Sequence, residues 1–220
     1  MSAPFPMTSA LFSVQELVDS CVDFMRDSAP DLHTAAPISR IWTHPAQMHI
    51  FSTIHLTTPP MTPSTSRRLL DVLEASPHLT QFTKVLSIHM WADNALLGLS
   101  QHHFTSLRQL SIVMPRHFSL PLCLAVQQLI SLHSLEQLIL IGDFTKDVYL
   151  HCSPSIKHLA LWRFAFIVSP NTDTASPQSY QRPILHSFDL CDTDLPRVQW
   201  QDTLDLSKLK SAMLSNRTHE

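Results

Sequence analysis

The chain has 220 residues, of which 44% are hydrophobic and 15% are charged, and its formal net charge is -3. A chain of this size can bury a substantial core, and the lack of a long basic run argues against nucleic acid or an anionic membrane as a partner. The first residues lack a charged segment before an apolar one, and no apolar run is long enough to span a bilayer. We therefore expect no secretory signal, no transmembrane helix, and a cytoplasmic or nuclear location.

The cysteines, histidines and glycines do not indicate a catalytic or metal site. The four cysteines lie far apart without a CxxC pair, and the fourteen histidines have no metal-binding spacing, so no metal is expected and the thiols suit a reducing compartment. Two glycines cannot form a glycine-rich phosphate loop, and no GxSxG or comparable motif places a nucleophile beside a base. No cofactor, no catalytic residue and no enzymatic activity are predicted.

Residues 11–56 have the pattern of a small helical module. Four apolar side chains recur at spacings of three and four in ELVDSCVDFMRDS, which predicts an amphipathic helix: Leu17, Cys21, Phe24 and Met25. Asp31 is expected to cap a second short helix over residues 32–36, and Pro37 to interrupt it. A third segment is expected to add three side chains to the same core: Ile38, Ile41 and Trp42. Residues 57–66, rich in Pro, Ser and Thr, are predicted to be a linker.

From residue 67 to residue 220 one phrase, LxxLxL, keeps returning. Its central positions, 86, 110, 138, 159, 188 and 212, lie 24, 28, 21, 29 and 24 residues apart. Leucine-rich repeats have periods of about 20 to 29 residues, so this region is predicted to contain about six irregular repeats. The six copies are Thr83/Leu86/Ile88, Leu107/Leu110/Ile112, Leu135/Leu138/Leu140, Ile156/Leu159/Leu161, Leu185/Phe188/Leu190 and Leu209/Ala212/Leu214.

The expected fold class is α/β, with the helical module followed by a solenoid built on a parallel β-sheet. Connections of about 15 residues or more suit parallel crossovers, and residues 119–133 have the apolar stripe of a return helix. An ordinary α/β domain with a parallel sheet is the alternative, but it does not by itself require the same phrase at every strand. After Leu214, the last residue of the sixth copy, the sequence reads only SNRTHE. We therefore expect an uncapped edge there that promotes self-association.

Within each copy the last two apolar residues should point into the solenoid, and the residues between them should point outward. Outward positions on three strands give the candidate substrate-binding residues: Gln137, Ile139, Ile141, His158, Trp162 and Asp189. Two isoleucines beside a tryptophan are typical of a binding hot spot. Equally, these residue types favour strands, and the polar insertion at residues 168–183 is a candidate to cover them.

Three stretches carry a resemblance to a known family: ELVDSCVDFMRDSAPDLHTAAPISRIW, AQMHIFSTIHL, and LLDVLEASPHLTQFTKVLSI leading into the repeats. The first resembles an F-box, and the whole chain resembles the F-box and leucine-rich-repeat proteins abundant in mushroom-forming fungi. An F-box is a three-helix module that docks on the adaptor subunit of an SCF-type cullin-RING ubiquitin ligase, and the repeats present a protein substrate. The resemblance implies that the following residues form the F-box core or the adaptor face: Glu16, Leu17, Val22, Met25, Leu32, Ile38 and Trp42.

The chain departs from the F-box pattern at three places. Ser13 and Val14 replace the Leu-Pro that usually precedes the first helix, Cys21 stands where isoleucine is common, and Pro37 is expected to shorten or kink the last helix. The alternative is therefore a protein-interaction scaffold outside any ligase, in which residues 11–56 only cap the exposed end of the first repeat.

Overall fold

The computed structural model describes residues 14–56, 64–89, 93–113, 119–142, 144–145, 151–162, 166–167, 182–191 and 204–215. The chain divides into two compact units, Met1–Ser52 and Thr53–Glu220. No helix among the described residues is long and apolar enough to cross a membrane.

The first unit consists of three helices, α1 (Val14–Phe24), α2 (Ala29–Ala35) and α3 (Arg40–Ile50). Its core is a cluster of Val18, Val22 and Leu32, against which three partly buried side chains pack: Met25, Trp42 and Ile50. Burial of these side chains holds the three short helices together, because helices of this length are marginal on their own.

Two local predictions for the second helix and its neighbour are wrong. Helix α2 begins at Ala29 with Ser28 at the N-cap position, so Asp31 lies in the first turn rather than at the cap. Pro37 interrupts α2, as predicted, because the helix ends at Ala35, but it does not kink the last helix, since it lies in the turn before α3 begins at Arg40. A different proline, Pro30, lies in the first turn of α2. It is tolerated there because the backbone amide that proline lacks would have no helical partner at that position.

The apolar stripe that predicts α1 is not the stripe that the helix buries. Val18 and Val22 face the core, whereas Leu17, Cys21 and Phe24 are exposed. Both stripes have helical spacing, and they are offset by one residue. Periodicity alone therefore establishes the helix but not which of its apolar faces is covered.

The third segment contributes less to the core than the sequence predicts. Trp42 packs against the core cluster, but Ile38 and Ile41 are exposed, so their assignment to the core is wrong. Ile38 lies in the turn before α3, and Ile41 lies in the first turn of α3, where it is 45% exposed.

The second unit contains a seven-stranded sheet in the order β1-β2-β3-β4-β6-β8-β9, in which every neighbouring pair is parallel. Two further two-residue strands, β5 and β7, pair with each other. The α/β class with a parallel sheet is confirmed. The strands are β1 (Thr53–Leu56), β2 (Val85–His89), β3 (Gln109–Val113), β4 (Gln137–Ile141), β5 (Phe144–Thr145), β6 (His158–Trp162), β7 (Phe166–Ile167), β8 (Ser187–Cys191) and β9 (Ser211–Ser215).

The described helices of this unit are α4 (Ser64–Ala75), a 3-10 helix (Pro77–Phe82), α5 (Asp93–Ser100) and α6 (Leu120–Ile130). Helix α4 packs on α5, and α5 packs on α6. The return helix predicted over residues 119–133 is confirmed as α6, which buries one apolar face: Leu122, Ala125, Val126, Leu129 and Ile130.

The boundary between helical and repeat regions differs from the predicted one. Residues 53–56 form β1, which pairs with β2 from Thr53↔Val85 to Leu56↔Ile88 and so belongs to the sheet unit. Helix α4 begins at Ser64, so residues 64–66 of the predicted linker are helical, and residues 57–63 lie outside the described residues. The segment TIHL alternates polar and apolar residues, and this period of two is the signal that distinguishes it from the preceding helix.

The inward positions of the repeats form the core of the sheet unit, as predicted. The two strand positions of five copies are buried in register: Leu86, Leu110, Leu138, Leu159 and Phe188 in one row, and Ile88, Ile112, Leu140, Leu161 and Leu190 in the next. The first position is buried as well: Leu107, Leu135, Ile156 and Leu185. Ala212, expected to point inward, is exposed in β9, which pairs with β8 alone among the described strands.

Candidate interaction surfaces

The helical unit carries an open apolar groove of about 640 Å³. Four of the predicted adaptor-binding residues line it: Leu17, Met25, Ile38 and Trp42. The remaining lining residues are Ser20, Cys21, Phe24, Asp31, Thr34 and Ala35. The groove therefore lies between α1, α2 and the turn that leads into α3.

The groove exposes unusually large apolar side chains for so small a unit. Leu17 is 54% exposed, Phe24 93% and Ile38 64%. A contiguous apolar patch of this kind marks an interaction site more often than a solvated surface, because leaving it in water is unfavourable. Phe24 was absent from the predicted site residues, although its spacing from Leu17 and Cys21 is the signal that places it on the same face.

The other predicted residues of this unit have different positions. Val22 and Leu32 are buried in the core, at 0% and 2% exposure, and cannot contact a partner directly. Met25 and Trp42 both pack on the core and line the groove. Glu16 is exposed on α1 but does not line the groove. The predicted set thus combines structural residues with residues of the surface.

A second groove of about 560 Å³ on this unit is lined by both charged and apolar side chains. Asp19, Asp23 and Arg40 line it together with His49, whose Nε2 lies 2.8 Å from Asp23 Oδ1 and joins α3 to α1. Met48 contributes an exposed apolar side chain, 40% exposed. The charged lining distinguishes this groove from the apolar one and makes its residues suitable controls.

On the sheet unit, strand register brings the predicted substrate-binding residues onto one face. Pairing of β4 with β6 and of β6 with β8 forms three rows on this face: Gln137, His158 and Ser187; Ile139, Ala160 and Asp189; and Ile141, Trp162 and Cys191. All six predicted residues are partly or fully exposed, and Trp162 is 45% exposed. Ile141 and Trp162 are direct neighbours, whereas Ile139 lies one row away. Of the candidate cover, residues 168–183, only Arg182 and Pro183 are among the described residues.

Comparison with known proteins assigns neither surface. No family model matches the chain, and no curated protein and no solved structure is significantly similar to it. Function is therefore inferred from the chain's own residues.

A small cleft of about 150 Å³ lies on the outward face of the sheet, between β4, β6 and β8. Gln137, His158, Ser187 and Asp189 supply its polar groups, and His158 Nδ1 lies 2.7 Å from Ser187 Oγ. Pockets for small molecules usually have volumes of about 300–1,000 Å³. The cleft therefore suits a single side chain of a protein partner better than a free ligand.

The cysteines and acidic residues do not form a metal centre in the described part of the chain, where no group of three or more His, Cys, Asp or Glu side chains could hold an ion. Cys21 is exposed in the apolar groove. Cys152 is buried, and burial raises the pKa of its thiol to about 12. Because a protonated thiol is a poor nucleophile, Cys152 is a structural residue.

Proposed function

We propose that this protein is the substrate-recognition subunit of an SCF-type cullin-RING ubiquitin ligase. Its helical unit is an F-box-like module that docks on the adaptor subunit, and its sheet unit is a leucine-rich-repeat solenoid that holds a protein substrate. The protein supplies binding and positioning, and performs no chemistry itself.

The observation that carries this proposal is the apolar groove of the helical unit. Residues matched to the F-box pattern on sequence grounds, Leu17, Met25, Ile38 and Trp42, line this single surface although they come from three separate segments. Apolar anchors spaced along helices are the usual means by which a helical partner is recognised.

The sheet unit supports the solenoid part of the proposal. In the seven-stranded sheet each strand lies beside the next one along the chain, apart from the two short strands that pair with each other. A doubly wound sheet would instead reverse its strand order at a switch point. Stacked repeats that contact only their neighbours give the order that is observed.

A scaffold outside any ligase is the second candidate. In that case the helical unit stabilises the repeats, and its apolar groove has no adaptor to bind. The two candidates differ in one measurable property, which is the affinity of the groove for the adaptor subunit.

The test is binding of the full chain to purified adaptor subunit by isothermal titration calorimetry, with Leu17→Asp as the disruptive variant. We expect Leu17→Asp to bind the adaptor subunit about thirtyfold more weakly than the wild type, since a hot-spot anchor contributes about 2 kcal/mol. Leu17 is largely exposed, so the substitution should preserve the fold, which circular dichroism would verify. The matched control is Met48→Asp, which introduces the same charge at an exposed apolar position in the second groove, and this variant should bind normally.

Two results would contradict the proposal. Absence of binding by the wild-type chain would leave the scaffold as the better explanation. Equal weakening by Leu17→Asp and Met48→Asp would show that the apolar groove is not the docking surface.

A further inference from the structure

The residue that directly precedes each repeat strand is basic in most of the copies. This position is occupied by Lys84, Arg108, Glu136, Lys157, His186 and Lys210. Four of these six are Lys or Arg, whereas Lys and Arg together account for only 15 of the 220 residues. The concentration is far above the composition of the chain, and we refer to these six residues as the basic row.

The backbone aligns the basic row across the sheet. The Lys84 carbonyl accepts hydrogen bonds from the amides of Arg108 and Gln109, at 2.8 and 3.0 Å. The same pair of bonds recurs at each following step, with these acceptors: Arg108, Glu136, Lys157 and His186. Neighbouring strands lie about 4.8 Å apart, so the row is a regular ladder perpendicular to the strands. Its Lys and Arg side chains are all exposed: Lys84, Arg108, Lys157 and Lys210.

The electrostatic environment at one end of the row is positive. Desolvation lowers the pKa of His186 below its usual value of 6.5, and four nearby groups lower it further: Lys210, His158, Lys157 and Lys208. Each of these groups disfavours a further positive charge at the imidazole, which is the behaviour expected where cations gather.

Among the described residues, nearby acids offset only part of this charge. Glu136 lies within the row, with Oε2 3.5 Å from Lys157 Nζ, and both side chains are partly exposed. Asp205 accepts a hydrogen bond of 2.9 Å from the Ser207 amide, which orients it locally. Asp189 lies three residues after His186, beside Ala160.

We propose that the basic row binds an acidic, extended segment of a protein partner, which crosses the strands at their amino ends. This inference rests on the proposed function and specifies its substrate class. Lysine supplies a point charge, whereas bidentate recognition of phosphate favours arginine, and Arg108 is the single arginine of the row. A run of carboxylates therefore fits better than a phosphate group.

The outward groups beside the row suit a peptide. Gln137, His158 and Ser187 begin the next row of the sheet and offer hydrogen-bonding groups to a backbone laid across it. A long polyanion such as nucleic acid is less suited, because the net charge of the whole chain is -3.

The test uses the full chain and fluorescence anisotropy with a short labelled peptide of alternating Glu and Ser, compared with its Gln/Ser counterpart at low ionic strength. We expect only the acidic peptide to bind, and its affinity to fall as salt is raised. The double variant Lys157→Gln/Lys210→Gln should weaken binding by about fivefold, as expected for two exposed charge pairs. Glu136→Gln should strengthen binding, because it removes the acid that competes for Lys157.

The matched control is Arg67→Gln/Arg68→Gln, which removes two exposed positive charges from α4 and should leave peptide affinity unchanged. Three outcomes would overturn the inference: equal binding of both peptides, equal weakening by the two double variants, or tighter binding of single-stranded DNA at the row. Adaptor binding, tested with Leu17→Asp, and peptide binding are measured separately, so this inference and the proposed function can fail independently. Peptide binding without adaptor binding refutes the ligase role alone, and adaptor binding without peptide binding refutes the row alone.

Discussion

Thr83 occupies the repeat position that leucine or isoleucine fills in the other five copies. It is fully buried, and its hydroxyl has no hydrogen-bond partner among the described residues. A buried polar group without a partner costs about 1–3 kcal/mol of stability. The first copy of the repeat is therefore weaker than the others at one identifiable atom.

Replacing Thr83 with valine should raise the free energy of unfolding by about 1 kcal/mol, because the variant keeps the shape and removes the unpaired hydroxyl. Urea denaturation followed by circular dichroism would measure the change. The matched control is Thr80→Val, also at a buried position. The Thr80 hydroxyl lies 2.8 Å from the Pro77 carbonyl oxygen and 2.9 Å from that of His103, so this variant should lose stability. Loss of stability in both variants would show that the Thr83 hydroxyl is paired.

His186 should make the stability of the protein depend on pH near neutrality. Its pKa is lower in the folded chain than the usual 6.5, through desolvation and then the charge of Lys210 and its neighbours. Above pH 6.5 the imidazole is neutral in both states and contributes nothing. As the pH falls below 6.5 the unfolded chain binds the proton more readily, so stability is lost.

The measurement is urea denaturation of wild type and His186→Gln between pH 7.5 and pH 5.5, values that bracket the usual imidazole pKa. The variant should lose less stability than wild type over this interval. The difference between the two chains isolates His186 from the other histidines. Parallel curves for the two proteins would contradict the prediction.

At the scale of the element, the six repeat strands and the buried face of α6 were predictable from sequence, whereas β1 and the buried face of α1 were not. A shift of one residue in the register of β3 would turn Leu110 and Ile112 toward solvent. The alternation of apolar and polar residues therefore fixes both the register of a strand and the face that it buries. Helix α1 offers two apolar stripes, and only tertiary packing decides that Val18 and Val22 are buried while Leu17 forms a groove.

Helix α5, DNALLGLS, was not predicted, in part because glycine has a low helix propensity. The structure shows what this glycine does. A Cβ on Gly98 would lie 2.7 Å from both Leu70 Cδ atoms, so glycine permits the close approach of α4 and α5. The sequence contains no local signal for a contact between residues so far apart in the chain.

The candidate site on the sheet was predictable from sequence, whereas the groove on the helical unit depends on tertiary packing. The outward strand positions from Gln137 to Asp189 share one face because register is set by backbone pairing, and their grouping was predictable. The apolar groove depends on how α2 and the turn at Ile38 pack against α1. Its composition was predicted only through the resemblance to an F-box, and Phe24 was missed.

At the scale of the whole molecule, the two compact units have separate cores. The helical unit is centred on Val22 and Leu32, and the sheet unit on the rows of leucines that begin at Leu86. Units with separate cores can unfold separately. Whether the helical unit also stabilises the repeats is the feature that separates a docking module from a cap.

Two truncated chains should show whether the helical unit stabilises the repeats. The shorter deletion removes residues 1–52 and stops at the boundary between the two compact units. Residues 53–220 retain β1, and we expect them to unfold at the same urea concentration as the sheet unit of the full chain. Residues 57–220 lack β1 and with it Ile54 and Leu56, which are only 7% and 4% exposed. Loss of these two side chains should cost about 3–6 kcal/mol, at about 1.5–3 kcal/mol for each buried aliphatic group.

The stabilities of the two truncated chains could also be equal, and this result would favour the cap. If residues 53–220 are destabilised as much as residues 57–220, the helical unit contributes directly to the stability of the repeats, as a cap does. Deletion at the boundary predicted from sequence, residue 56, could not distinguish these cases, because it removes β1 together with the helices. The position of a single four-residue strand therefore decides whether a truncation experiment tests function or only damages the sheet.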